Sequence, residues 1–346
     1  MRNNSLVARV ALASALFAVS CLAGVRVTPS AIFQAGKTGQ PNVSSGEQNL
    51  LKGINAAANP SAKIKAAAEL IKKYPKSSLR TRVASDLADQ IAGVTDASEK
   101  IGLAQEYRGV FTDQSERQLI TPILIEGYID AKRPDEAFST GAEYLTQNPD
   151  ALRVLVGLMS VGTDQAKVGN KKFLEPSLQY GNHVVELIEA NKKPADMDEA
   201  GWTQYKASVL PGVYRSLGIL NLVKGDRAEA KTRVLKAVAV ASSDPYNYLI
   251  LATILYDEYQ DSAKRYQNLP DGKAKDDELQ KVHVALDNVI DAYAHLIALS
   301  EGVAALQPAR QQLMADLETY YKYRHNSSTA GMQQLIDKYK VINLKP

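Results

Sequence analysis

The stretch Ala31-Ile32-Phe33-Gln34-Ala35-Gly36-Lys37-Thr38 carries the residue types of a phosphate-binding loop, provided alanine is accepted for the first glycine. Such a loop works because a strand feeds a glycine-rich turn whose backbone amides surround the phosphates, and the helix that follows aims its positive end at them. Neither flank fits. Val25-Arg26-Val27-Thr28-Pro29 is a poor buried strand, and Gly39-Gln40-Pro41-Asn42-Val43-Ser44-Ser45-Gly46 cannot propagate a helix. A second stretch, Leu249 to Glu258 (LILATILYDE), has the look of an apolar strand ending in a metal-holding carboxylate pair. Asp244-Pro245 ahead of it is instead a helix start, with Asp as cap and Pro in the first turn. Tyr248, Leu251, Leu255 and Tyr259 then recur at helical spacing. No nucleotide site is expected.

Other chemistry is equally thin. The four histidines, His183, His283, His295 and His325, have no HExxH spacing and no cysteine companions. His183 has Glu186 one turn away, and His325 follows Tyr320-Tyr321-Lys322-Tyr323-Arg324; each histidine is read as a helix-surface residue. There is no Gly-x-Ser-x-Gly, and the single cysteine, Cys21, allows neither an intramolecular disulfide nor a multi-cysteine metal site. No catalytic residue, metal or cofactor is expected. Asn42-Val43-Ser44 and Asn326-Ser327-Ser328 match a glycosylation sequon by chance.

The 346 residues are 45% hydrophobic and 23% charged, an ordinary balance for a folded chain able to bury a core. A net charge of +3 gives no basic stripe for nucleic acid. Residues 1–24 read as a secretion signal: Arg2 and Arg9 precede an apolar run from Val10 to Leu22, too short to span a bilayer comfortably. Phe17-Ala18-Val19-Ser20-Cys21 resembles the lipobox of bacterial lipoproteins, with Ala18 where Leu is usual. That resemblance implies acylation at Cys21 and a membrane contact through the lipid alone. Cys21-Leu22-Ala23 also offers an ordinary cleavage site, which would give a soluble periplasmic form, and an uncleaved anchor is the third alternative. Residues 25–46, dominated by Gly, Ser, Pro, Asn and Gln from Gln34 onward, read as a disordered linker.

From about residue 47 the pattern is helix after helix, rich in Ala, Leu, Lys, Glu and Gln, with apolar residues recurring at three and four. Punctuation pairs the helices: 47–57 with 61–74, 78–92 with 97–111, 116–131 with 135–147, 151–166 with 173–191, 199–223 with 226–241, 246–265 with 277–299, and 304–323 with 328–340. A kink is expected at Pro211-Gly212. The polar insertion Asn268-Leu269-Pro270-Asp271-Gly272-Lys273 is expected to form a mobile loop over 268–276.

One unit is clear: Tyr214-x2-Leu217-Gly218, the turn Lys224-Gly225-Asp226-Arg227, then Ala230-x3-Val234-x2-Ala237 before Asp244-Pro245. It resembles the tetratricopeptide repeat, with Asn221 for the family's Tyr, Val234 for its aromatic, and a proline three residues late. Leu124-Ile125-x2-Tyr128, Ala137, Gly141 and Pro149 keep the spacing with drift, and Tyr248-x2-Leu251-Ala252 opens the next unit. The resemblance covers roughly residues 47 to 340, about seven pairs. It implies an all-α, right-handed solenoid over 47–346, whose small residues Gly218, Ala230 and Ala237 let helices approach closely.

A solenoid offers a concave face lined by the first helix of every pair. The repeat register leaves Arg215, Ile219 and Leu222 in one unit, and Tyr246, Leu249, Thr253 and Tyr256 in the next, toward that groove. Seventeen tyrosines against five phenylalanines is a skew suited to peptide or glycan contacts, although tyrosine is also the family's packing aromatic. The expectation is a non-catalytic adaptor in a bacterial envelope that binds a protein or peptide partner. The alternatives are an envelope-assembly lipoprotein similar to those of outer-membrane protein insertion, and an enzyme whose site carries no recognisable motif.

Overall fold

The computed structural model of the protein describes residues 43–342. The expected leader 1–24, Cys21, the stretch 31–38 and most of the expected linker 25–46 lie outside the described residues. Among those described there is no strand, and fourteen α-helices follow one another: α1 (Ser45–Ala56), α2 (Pro60–Lys73), α3 (Arg80–Ala92), α4 (Ala97–Val110), α5 (Gln114–Asp130), α6 (Pro134–Gln147), α7 (Leu152–Lys167), α8 (Leu174–Glu189), α9 (Glu199–Lys224), α10 (Arg227–Val240), α11 (Pro245–Asn268), α12 (Lys273–Leu299), α13 (Gln307–Arg324) and α14 (Met332–Ile342). All fourteen coincide with the helices expected from punctuation, to within a few residues.

Local chemistry fixes the ends. Ser44 accepts from the Glu47 amide at 3.3 Å while the Glu47 carboxylate takes the Ser44 amide at 2.8 Å, a reciprocal cap that starts α1 at Ser45, inside the stretch expected as linker. Asn59, Asp96, Asp226 and Asp244 cap α2, α4, α10 and α11 by accepting a first-turn amide on the side chain, with proline in the first turn of α2 and α11. The loop expected over 268–276 is shorter than that: only Leu269–Gly272 separates α11 from α12, with Gly272 at φ +138°. Lys273–Asp276 are helical because Lys275 and Asp276 already donate to the Gly272 carbonyl and Asp271 pairs with Lys275 at 2.8 Å. Helix α9 also runs unbroken through Pro211. The carbonyl that Pro211 leaves without its donor belongs to exposed Ala207, where water can take its place.

The described residues fall into two compact units, 43–162 with 189–198 and 163–188 with 199–342. In the first, consecutive helices pack from α1 to α6, and next-but-one helices also meet, α2 with α4 and α3 with α5. Its core is Ile64 and Leu70 on α2, Leu87 and Ile91 on α3, Tyr107 on α4, and Ile120 and Leu124 on α5. A methyl group on Gly141 would sit 2.5 Å from Leu158 Cδ1, so only glycine lets α6 and α7 approach this closely. Two ionic groups are drawn inside: Arg80 binds Glu116 at 2.8 Å, and the buried Lys100 ammonium reaches Glu126 at 2.9 Å and Asp130 at 3.7 Å.

In the second unit α9 packs on α10, α10 on α11 and α11 on α12, while α12 also receives α13 and α14. Again next-but-one helices α9 and α11 touch. Ala230 and Ala237 are fully buried, and a methyl on Gly218 would lie 2.5 Å from Val234 Cγ2, which is the close approach that small residues at these positions were expected to allow. Helix α12 is long and apolar enough to cross a membrane by composition, but Leu286, Val289, Ile290, Leu296 and Ile297 are spent on the core of this unit.

Candidate partner-binding face

Helices α9 and α11, each followed by a helix it packs on, carry the residues expected to bind a partner. Tyr246, Leu249, Thr253 and Tyr256 recur at intervals of three and four and therefore share one face of α11; all four are half-buried. Tyr246, Leu249, Tyr256 and, on α9, Leu222 rest against the core cluster while keeping part of each side chain at the surface. Thr253 donates its hydroxyl to the Leu249 carbonyl at 2.9 Å. Ile219 does not belong to this set: it is 6% exposed and packs in the core beside Ala230 and Val234.

The structure also divides the expected set into two places. At one end of α11, Arg215 donates through one guanidinium nitrogen to Asp244 and, at 3.2 Å, to the Asn247 side-chain carbonyl, and it lies over the Tyr246 ring at 5.9 Å. Fully buried Asn247 in turn donates to the Ala237 and Ala241 carbonyls at 3.1 Å. Arg215 thus fastens α9 to the α10–α11 junction instead of standing free over a groove. Tyr256 lies ten residues further along α11, roughly 15 Å away at 1.5 Å per residue.

Around Tyr256, midway along α11, tyrosines gather from three helices. The Tyr256 ring meets Tyr259 at 6.2 Å and Tyr320 of α13 at 5.8 Å, and Tyr320 packs edge-on to Tyr293 of α12 at 5.5 Å. Burial first, then proximity to Tyr323 and Tyr256, pushes the Tyr259 hydroxyl above its ordinary pKa, so it stays protonated as a donor. Tyr323, 65% exposed, extends the patch outward. Tyr259, Tyr320 and Tyr323 are missing from the expected set. The run Tyr320-Tyr321-Lys322-Tyr323 is conspicuous in the sequence, but only the packing of α13 beside α11 brings it to Tyr256.

Of the histidines, His183 pairs with Glu186 at 3.3 Å and His325 is exposed at the end of α13, both as surface residues. His295 is a correction to the surface expectation: its ring is held between Tyr248 at 4.5 Å and Tyr339 at 3.3 Å, because α14 folds across that side of α12. Among the described residues no group of three His, Cys, Asp or Glu side chains is placed to hold a metal ion. No protein-family model and no curated protein matches the chain.

Proposed function

We propose that the chain is a non-catalytic interaction scaffold of a bacterial envelope, a right-handed tetratricopeptide-like solenoid of about seven helix pairs that grips a protein or peptide partner on its first-helix face. Export by the leader 1–24, with acylation at Cys21 or release as a soluble periplasmic form, belongs to the same reading. The observation that carries it is the patch of Tyr256, Tyr259, Tyr320 and Tyr323, contributed by α11 and α13 and reaching from half-buried to exposed. Tyrosine supplies a broad apolar contact and a hydroxyl with few rotamers to freeze, which suits an anchor for a partner's side chains. Arg215 supports the face from below, by joining α9 to α11.

The test is site-specific photocrosslinking in native envelopes, with the crosslinker at Tyr323 and, separately, at exposed Leu235 on α10, a second helix. A partner captured at position 323 and not at 235, and lost when Tyr256 and Tyr320 are replaced by leucine, supports the assignment. Identical capture at both positions overturns it. Palmitate labelling of the wild-type chain and of Cys21→Ala separates the acylated form from the soluble one.

A further inference from the structure

A second place in the same unit carries chemistry that the tyrosine patch does not use. Between α12, the end of α13 and the first turns of α14 lies a pocket of about 470 Å3, within the range that holds small ligands. Its apolar surface comes from Ile290, Leu335 and the Tyr321 ring, on which His325 stacks at 4.1 Å. Its charges come from two helices. Asp287 and Asp291 lie one turn apart on α12, and Lys338 is on α14.

Each charge keeps capacity for a ligand. The Arg324 guanidinium donates to Asp287 at 3.2 Å, while its Nε, 2.8 Å from the other oxygen, is poorly aligned for a hydrogen bond. Asp291 accepts from the Tyr339 hydroxyl and has His295 Nδ1 at 3.6 Å. A carboxylate has about four acceptor positions, so neither group is exhausted. Lys338 makes no ion pair among the described residues and rests over the Tyr339 ring at 4.9 Å. With carboxylates on α12, an ammonium on α14 and an aromatic ring in the same pocket, a ligand of a single charge gains from one helix and loses to the other. A dipolar ligand gains from both.

We propose that this pocket binds a free aromatic or large apolar α-amino acid as its zwitterion, with the ammonium against Asp287 and Asp291, the carboxylate against Lys338, and the side chain on the Tyr321–His325 stack. The site shares no residue with the tyrosine patch, so it stands whether or not that patch binds a partner.

The experiment is a calorimetric titration of the full chain with L-phenylalanine, phenylethylamine and 3-phenylpropionate, repeated on Lys338→Gln, a surface change that leaves Asp291 and its contacts to α14 in place. L-phenylalanine should bind saturably, and each single-charge analogue at least about tenfold more weakly, the factor for one ionic contact at a partly exposed site. In Lys338→Gln, phenylalanine should fall to the level of phenylethylamine, and phenylethylamine itself should not weaken. Absence of saturable phenylalanine binding overturns the proposal, as do analogues that bind equally well or a Lys338→Gln chain that keeps the full preference for the zwitterion.

Discussion

Replacing Asn247 by alanine removes the contact that ties three helices together. Three hydrogen bonds disappear: two from its amide to Ala237 and Ala241, and one accepted from Arg215. Neither carbonyl is orphaned, because the Ala241 and Asp244 amides also reach them at 3.0 and 3.2 Å. The cost is therefore that of the bonds and the small void, not of stranded buried acceptors. With about 0.5–1.5 kcal/mol for each neutral bond and somewhat more for the charge-assisted one, the loss is about 2–4 kcal/mol. Trp202, the only tryptophan, is buried in α9 of the same unit, so selectively excited fluorescence during urea unfolding reports this unit. Arg215→Ala alone should cost about 1–3 kcal/mol, and the double variant should cost less than the sum by about 0.5–1.5 kcal/mol, because the two residues share one bond. A loss under about 1 kcal/mol for Asn247→Ala, or strict additivity with Arg215→Ala, would falsify the fastening role.

Three more outcomes follow from the packing. Gly218→Ala should destabilise by about 1–2 kcal/mol, through overlap with Val234 only partly offset by the better helix propensity of alanine, and in a Val234→Ala background the same change should be close to neutral by thermal unfolding. Lys100→Met should alter stability by less than about 1 kcal/mol, since a buried ion pair gains little over a packed apolar chain and Glu126 and Asp130 remain half-exposed; a loss above 3 kcal/mol would show the pair to be essential. Burial acts most strongly against the charge of Asp291, yet the nearby His295, the Tyr339 hydroxyl and Lys338 together hold its carboxyl below the ordinary value. The folded value being the lower one, its contribution to holding α14 is complete above about pH 4, the unfolded carboxylate value, and is lost as the pH falls through the folded value. Hydrogen exchange in α14 should rise below that pH in the wild type, and Asp291→Asn should abolish the dependence.

Helix positions were legible where short-range chemistry sets them, as Asp244 with Pro245 does, whereas the equally local pair Ser44 and Glu47 starts a helix inside the stretch expected as linker. Close approaches at Gly218 and Ala230 were legible for a related reason, since a small residue at a fixed interval has one use between packed helices. What failed needed neighbours distant in sequence. Ile219 was assigned to the surface because one helix cannot tell which flank of a stripe a second helix will cover. His295 looked like a surface residue until α14 returned across α12, and Tyr320 joined Tyr256 only through the packing of α13. The hairpin turn was overestimated for the opposite reason: Pro270, Asp271 and Gly272 do signal a break, but nothing local says how soon the next helix resumes.

The short connection Leu269–Gly272 also bears on the order of assembly. Helices α11 and α12 are among the longest described and pack on each other across that turn, so little chain entropy is surrendered in bringing them together. Contacts this local form quickly, and the resulting hairpin exposes the apolar side of α12 that α13 and α14 then cover. Nucleation of the second unit is therefore expected at this hairpin: in stopped-flow kinetics, substitutions at its buried positions Leu255 and Leu286 should slow folding, whereas one at Ile336 of α14 should act chiefly on the unfolding rate.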